Sequence, residues 1–446
     1  KDLASGKITQ VTTDGKWNHI INGSCDWVYE EEFSFTKAFA WSPDNRYIAY
    51  YRFDESAVKE FTMTNYTGEL YPENVTFKYP KVGMENSKVS IHIFDTKTKK
   101  KVDVDRTSDP DGYIPRIKWT NDPSKLCVFW MNRHQNHLEL LIANSVSGKT
   151  TKLLQEENKY YIDIHDNLTF LQDGQGFIWT SEQDGFNHIY LYDMSGSLKK
   201  QITTGNWEVT SFYGVDEKNK AIYYQSASAS PMEREIFSVG LDGVTKKQLH
   251  VDKGMNTAQF STTFDLFVLN HSTINSAPTY TVYDRKGKVV RVLENNEGVK
   301  AQQDEAGAQP VEFFNFTTSE GVDLNGYMIK PANFDATKKY PVFMTLYGGP
   351  GSQEVLDGWM GADYWWYQSL AQQGYIIACV DNRGTGGRGE EFKKMTYLQL
   401  GHFETIDQIE AAKYLGRLPY ADSSRIGIFG WSYGGYMSSL CLLKGN

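Results

Sequence analysis

Four cysteines in 446 residues, Cys25, Cys127, Cys379 and Cys441, are too few for a disulfide framework. They also stand too far apart for a metal-binding or redox motif. They read as small buried residues, with a single bridge left open. No apolar run reaches the roughly 18 residues that a membrane-spanning helix needs. No signal peptide opens the chain, but its first residues read as internal to a longer protein. Positive charge is in deficit, with 46 Lys and Arg against 55 Asp and Glu and a net charge of −9. That balance argues against nucleic acid or an anionic membrane as a partner, and suits a soluble protein that receives a cationic group. Histidine is absent from the end of the chain: the last of the nine is His402.

Aromatic residues are plentiful, with 28 Tyr and 24 Phe, as strand-rich architecture prefers. Up to about residue 300 one pattern recurs: an apolar strand, a polar turn and a second strand. Copies lie at 38–50, 117–130, 168–179, 212–224 and 258–268. The later copies repeat with a period of about 45 residues, the size of a four-stranded propeller blade. The expected fold here is a β-propeller over 1–305 with five blades and part of a sixth, the latter closing over 8–15. The longer interval between the first two copies marks an insertion, 53–86, which reads as a solvated surface hairpin or as an arm that meets a partner subunit.

Asp26-Trp27-Val28-Tyr29-Glu30-Glu31-Glu32 gathers three adjacent acids that repel one another, so a strand would not collect them for stability. An exposed turn is one reading. The other is a carboxylate pair that captures an ammonium through charge-assisted hydrogen bonds.

After about 300 the text changes, and 301–307 reads as a polar linker. Strands at 311–318, 326–331, 340–347, 376–381 and 425–429 alternate with helices at 364–373 and 403–416, which predicts a doubly wound, mostly parallel sheet over 306–446. Glycine-rich stretches follow two of the strands, at 348–351 and 383–389; the second lacks the Gly-Lys-Ser/Thr ending of a phosphate-binding loop. Gly430-Trp431-Ser432-Tyr433-Gly434-Gly435 then follows an apolar strand and precedes an apolar helix. It reads as a nucleophile elbow, G-x-S-x-G, in which glycines let strand and helix pass close together around a strained serine. In such hydrolases the acid and the histidine of the triad follow the serine. Here only fourteen residues follow Ser432, with neither acid nor histidine among them. Either the chain is a fragment, or the rest sits in another chain, or the protein is catalytically dead; a fragment is the favoured expectation, lacking the first part of the propeller and the last part of the α/β-hydrolase.

A propeller joined to an α/β-hydrolase carrying Gly430-Trp431-Ser432-Tyr433-Gly434-Gly435-Tyr436 resembles the prolyl oligopeptidase family of serine peptidases. Asp26–Glu32, Arg52-Phe53-Asp54-Glu55-Ser56, Lys78-Tyr79-Pro80-Lys81-Val82-Gly83 and Gln408-Ile409-Glu410-Ala411-Ala412 resemble the dipeptidyl peptidase IV branch. The resemblance implies an exopeptidase that removes Xaa-Pro and Xaa-Ala dipeptides through an acyl-enzyme on Ser432. It implies an oxyanion hole from the Tyr433 N–H and the Tyr347 hydroxyl, and ammonium capture by Glu31 and Glu32. Tyr433 and Trp431 would contact substrate. It implies no cofactor or metal, peptides with a free N-terminus as partners, and a homodimer formed in part through 53–86. The triad Asp and His would lie C-terminal to residue 446. A Phe-Arg pair that lines the dipeptide site in animal members is not evident around 162–165. Low cysteine content resembles a bacterial periplasmic or cell-surface member, with a cytoplasmic relative as the alternative. An endopeptidase or acylaminoacyl peptidase of the same fold, and an inactive scaffold, are the competing readings.

Overall fold

The computed structural model describes residues 1, 3–105 and 111–445. The chain divides into two compact units, one of residues 1–177 with 192–197, the other of residues 178–191 with 198–446.

Five antiparallel sheets follow one another along the chain. In the first, Ile20–Asn22 and Phe39–Trp41 both pair with Tyr47–Asp54, which continues to Lys88–Asp95 and Lys101–Asp103. The next is a meander of Tyr113–Trp119, Lys125–Met131, His137–Asn144 and Thr150–Glu157. The third runs Thr169–Phe170, Gly176–Ser181, His188–Asp193 and Leu198–Gln201, and the boundary between the units passes through it. The last two start at Val209–Asp216 and Met255–Phe260 and are again four-stranded. These are propeller blades, and the recurring strand–turn–strand pattern forms two successive strands of each. The fold class is a β-propeller plus an α/β-hydrolase. Residues 6–15 carry no strand.

Inside the first 305 residues the structure corrects two readings. The acidic run is not a turn: Trp27–Phe33 is a helix. Asp26 caps it by accepting from the Tyr29 N–H at 3.0 Å, and the Ser87 hydroxyl donates to the other carboxylate oxygen at 2.6 Å. Tyr29 and Phe33, four apart, share the buried face; they join Tyr51, Phe53, Ile91 and Leu126 in the core of this unit. Glu30, Glu31 and Glu32 are left exposed on the helix. Next, 301–307 is not wholly linker, because Glu297–Glu305 is helical. That helix buries none of its residues, so it offered no apolar period to read. In the stretch 53–86, Glu60–Asn65 and Glu73–Lys78 form a separate two-stranded sheet, and Trp27 packs on Tyr79 with ring centroids 4.3 Å apart.

The hydrolase sheet has the order Val311–Thr317, Asp323–Ile329, Ile376–Val380, Tyr340–Thr345, Ala421–Phe429. Its first two pairings are antiparallel and its last two parallel, so the sheet is mixed rather than mostly parallel. The short link between the first two strands makes a hairpin, which has no room for a crossover helix. Strand Ile376–Val380 is buried on both faces. Ile376, Ala378 and Val380 pack toward Ala411 and Leu415 of helix Phe403–Gly416. Ile377 and Cys379 point the other way, toward Tyr367 and Ala371 of helix Ala362–Gln372. That two-residue alternation sandwiches the sheet between helices and aims its parallel strand ends at one set of loops. All four cysteines are free thiols.

Candidate active site

Strand Ala421–Phe429 ends three residues before Ser432, and helix Tyr433–Lys444 begins immediately after it. Ser432 has φ 53° and ψ −116°, a conformation that a side chain tolerates only when its surroundings enforce it. Two close approaches do so. A methyl group at Gly430 would lie 2.4 Å from the Gly434 carbonyl carbon, and one at Gly434 would lie 2.3 Å from the Leu346 carbonyl oxygen. The helix start is thereby pressed against the end of strand Tyr340–Thr345, and Ser432 is left exposed on the turn.

Tyr347 follows that strand and stays partly exposed, at 39%. Its ring lies 6.1 Å from that of Tyr433. Gly349 fits between them: a methyl group there would meet the Tyr347 ring at 2.6 Å and the Tyr433 ring at 3.3 Å. Ser432, Tyr433 and Tyr347 therefore converge on one corner of the sheet. A serine oxygen, a backbone N–H at a helix start and a phenol on one corner can support attack on a carbonyl and receive the negative oxygen that forms. Trp431 projects beside them, 83% exposed.

The Tyr433 hydroxyl donates to Oε1 of Glu404 at 2.7 Å. Burial, and then the Glu404 carboxylate, push the phenol well above its ordinary pKa, so it remains a donor. Glu404 is fully buried in the first turn of helix Phe403–Gly416. The loop after Tyr347 is held from beneath by Asp381, whose carboxylate accepts the Glu354 and Val355 N–H groups, both at 3.0 Å. Burial pushes Asp381 up to about 7 against those two donors. Neither Glu404 nor Asp381 stood out in the sequence. Asp381 directly follows the apolar run 376–380, a weak hint of an internal acid, whereas the mixed neighbours of Glu404 carry no such hint.

Glu31 and Glu32 belong to the other compact unit, exposed on helix Trp27–Phe33. Among the described residues no group of three or more His, Cys, Asp and Glu is placed to hold a metal ion, and no helix is long and apolar enough to cross a membrane.

Residues 1–278 match the dipeptidyl peptidase IV N-terminal region, and residues 362–446 match the prolyl oligopeptidase family. A probable dipeptidyl peptidase 4 of Arthroderma benhamiae is 32% identical over 456 residues, covering 98% of this chain and 58% of its own length. The crystal structure of Porphyromonas gingivalis dipeptidyl peptidase 4 superposes with a TM-score of 0.94 at 44% identity, over 98% of this chain and 62% of that one. A putative dipeptidyl aminopeptidase IV from Bacteroides ovatus gives 0.87 at 30% identity, over 97% and 64%. The chain thus spans about three fifths of the length of these relatives.

Proposed function

The chain belongs to the dipeptidyl peptidase IV family, within the prolyl oligopeptidase serine peptidases, and on that premise we propose that its protein releases N-terminal dipeptides from peptides with a free amine. The observation that carries this reading is Ser432, held at positive φ on a glycine-bounded elbow beside Tyr347. Ser432 Oγ attacks the carbonyl carbon of the substrate's second residue, and its proton ends on the nitrogen of the departing peptide. The oxygen turned negative is met by the Tyr433 N–H and the Tyr347 hydroxyl. The C–N bond breaks, the shortened peptide leaves as an amine, and water then releases the dipeptide from the acyl-enzyme.

Glu31 and Glu32 hold the substrate ammonium. A blocked N-terminus would leave two carboxylates without their cation, which is how a site built for a charged group rejects an analogue lacking it. Tyr433 and Trp431 contact the dipeptide, and Pro or Ala is favoured at its second position. The reading assigns 1–305 to the propeller domain and 306–446 to the hydrolase domain. Residues 53–86 form the arm through which two copies associate, in a periplasmic or cell-surface setting. It calls for no cofactor and no metal.

The test is chromophore release from Gly-Pro-anilide, run beside the N-acetylated substrate, in the full-length protein and in Ser432→Ala. Turnover of the free amine alone, lost in the variant, is expected. Equal turnover of both substrates would identify an endopeptidase-like enzyme instead. Wild-type rates in Ser432→Ala would remove the nucleophile assignment.

A further inference from the structure

A buried carboxylate stands behind the residue next to the nucleophile. Glu404 is 0% exposed, and its Oε1 accepts the Tyr433 hydroxyl at 2.7 Å. Its Oε2 is buried and has no hydrogen-bond partner. An acid placed this way costs stability rather than adding it, since one hydrogen bond does not replace the water that a carboxylate loses. An apolar side chain of similar volume would fill the same space without that cost. What the carboxylate does provide is a fixed acceptor for one phenol.

That phenol belongs to a row of three tyrosines. The Tyr433 ring lies between Tyr347, at 6.1 Å, and Tyr436, at 5.5 Å. Tyr436 donates to the Leu400 carbonyl at 3.2 Å, so residues 400–404 receive the hydroxyls of both tyrosines on helix Tyr433–Lys444. Gly401 lets that segment come close enough: it has φ +81°, and a methyl group there would lie 2.5 Å from the Tyr436 hydroxyl. The ring is thus held at its backbone end by the elbow and at its hydroxyl end by Glu404, with the Gly401 backbone also meeting that hydroxyl.

Resting on the peptidase reading above, we propose that Glu404 is a positioning residue: it locks the Tyr433 ring as a rigid wall beside Ser432 and thereby sets the preference for a compact second residue, proline over alanine, in the departing dipeptide. A loose ring would still permit attack by Ser432 but would no longer fit closely around a five-membered ring. The effect therefore falls on substrate binding and selectivity more than on the chemical step.

The test compares Gly-Pro- and Gly-Ala-anilide in the full-length enzyme and in Glu404→Leu, Glu404→Gln and Tyr433→Phe. Losing a charged anchor is expected to raise the Gly-Pro KM about tenfold in Glu404→Leu, with kcat within about threefold and the Pro-to-Ala ratio reduced. Glu404→Gln keeps an acceptor oxygen and is expected to recover most of the KM, which simple filling of the core would not predict. Tyr433→Phe should match Glu404→Leu, and the double variant should be no worse than either. A folded Glu404→Leu with wild-type KM and wild-type Pro-to-Ala ratio overturns the proposal; if that variant does not fold, an unchanged KM and ratio in Tyr433→Phe overturns it equally. A crystal structure of Glu404→Leu, or of Glu404→Gln where the leucine variant does not fold, decides placement apart from activity. In the leucine variant, a displaced Tyr433 ring supports the lock and an unmoved ring overturns it; in the glutamine variant, a retained bond to Tyr433 supports the lock and a broken bond with the ring unmoved overturns it. Should the wild-type enzyme cleave neither anilide, the peptidase reading fails, and the ring's position still tests the lock.

Discussion

Arg383 and Asp407 form a buried pair in which three donors of one residue meet the carboxylate of the other. The Arg383 backbone N–H reaches Asp407 Oδ2 at 2.7 Å, Nε lies 3.0 Å from both oxygens, and Nη2 lies 2.7 Å from Oδ1. Arg383 also meets Glu320 at 2.7 Å and covers the Phe403 ring. The pair ties the glycine-rich loop after strand Ile376–Val380 to helix Phe403–Gly416, the helix that carries Glu404.

Breaking this pair from one side should be severe. Asp407→Ala leaves the buried guanidinium with the half-exposed Glu320 carboxylate as its remaining acidic partner, and the expected loss is about 3 kcal/mol, the low end for breaking a buried pair. Urea unfolding followed by tryptophan fluorescence measures it. An unchanged midpoint would mean that the loop is held by other contacts.

The elbow glycines should separate into two groups. Gly430→Ala and Gly434→Ala each place a methyl group within 2.4 Å of backbone, where nothing can give way cheaply. A shift of about 1 Å at Ser432, the proposed nucleophile, costs on the order of a hundredfold in rate, so both variants should lose nearly all turnover. Gly435→Ala meets only the Gly430 carbonyl, at 3.4 Å, and should retain activity. If Gly435→Ala were as damaging as Gly434→Ala, the steric account of the elbow would be wrong.

Glu31→Gln and Glu32→Gln each remove one charge from the proposed ammonium site while leaving the fold of an exposed helix intact. A charge-assisted hydrogen bond is worth about 1.5–3 kcal/mol, so kcat/KM on a free-amine dipeptide anilide should fall at least tenfold in one or both. A loss below twofold in both would remove the carboxylates from substrate recognition.

Asp381 makes stability depend on pH. Its folded pKa, about 7, lies above the ordinary aspartate value of about 3.9, so the folded chain holds a proton that the unfolded chain has released. Its contribution is therefore fully present below about pH 4 and is lost as pH rises through 7, with a slope of at most about 1.4 kcal/mol per pH unit. Asp381→Asn cannot ionise and should flatten that part of the profile between pH 4 and 7, although it gives up one of the two N–H contacts. Denaturant midpoints at pH 5, 6, 7 and 8 for both proteins would show it. Parallel profiles would mean that the two backbone donors keep Asp381 ionised throughout.

The chain's linear text was enough for features that depend on local period and spacing. Strand–turn–strand repeats marked the blades because a polar turn between two apolar strands is a local signal. The elbow was legible because close passage of strand and helix admits only glycine at 430 and 434. Helix Phe403–Gly416 was anticipated at its observed bounds, since its apolar residues recur at helical intervals. Other features waited for the fold. Trp27–Phe33 hid its helix behind three acids, because the pair that decides it, Tyr29 and Phe33, gains burial only against strands distant in sequence. Helix Glu297–Glu305 buries nothing and has no pattern to show. The antiparallel start of the hydrolase sheet depends on which strands meet, not on their composition. Glu404 and Asp381 are ordinary acids in the text; their roles arise from a phenol and two backbone N–H groups that the tertiary structure brings to them, in surroundings dry enough to make each contact count.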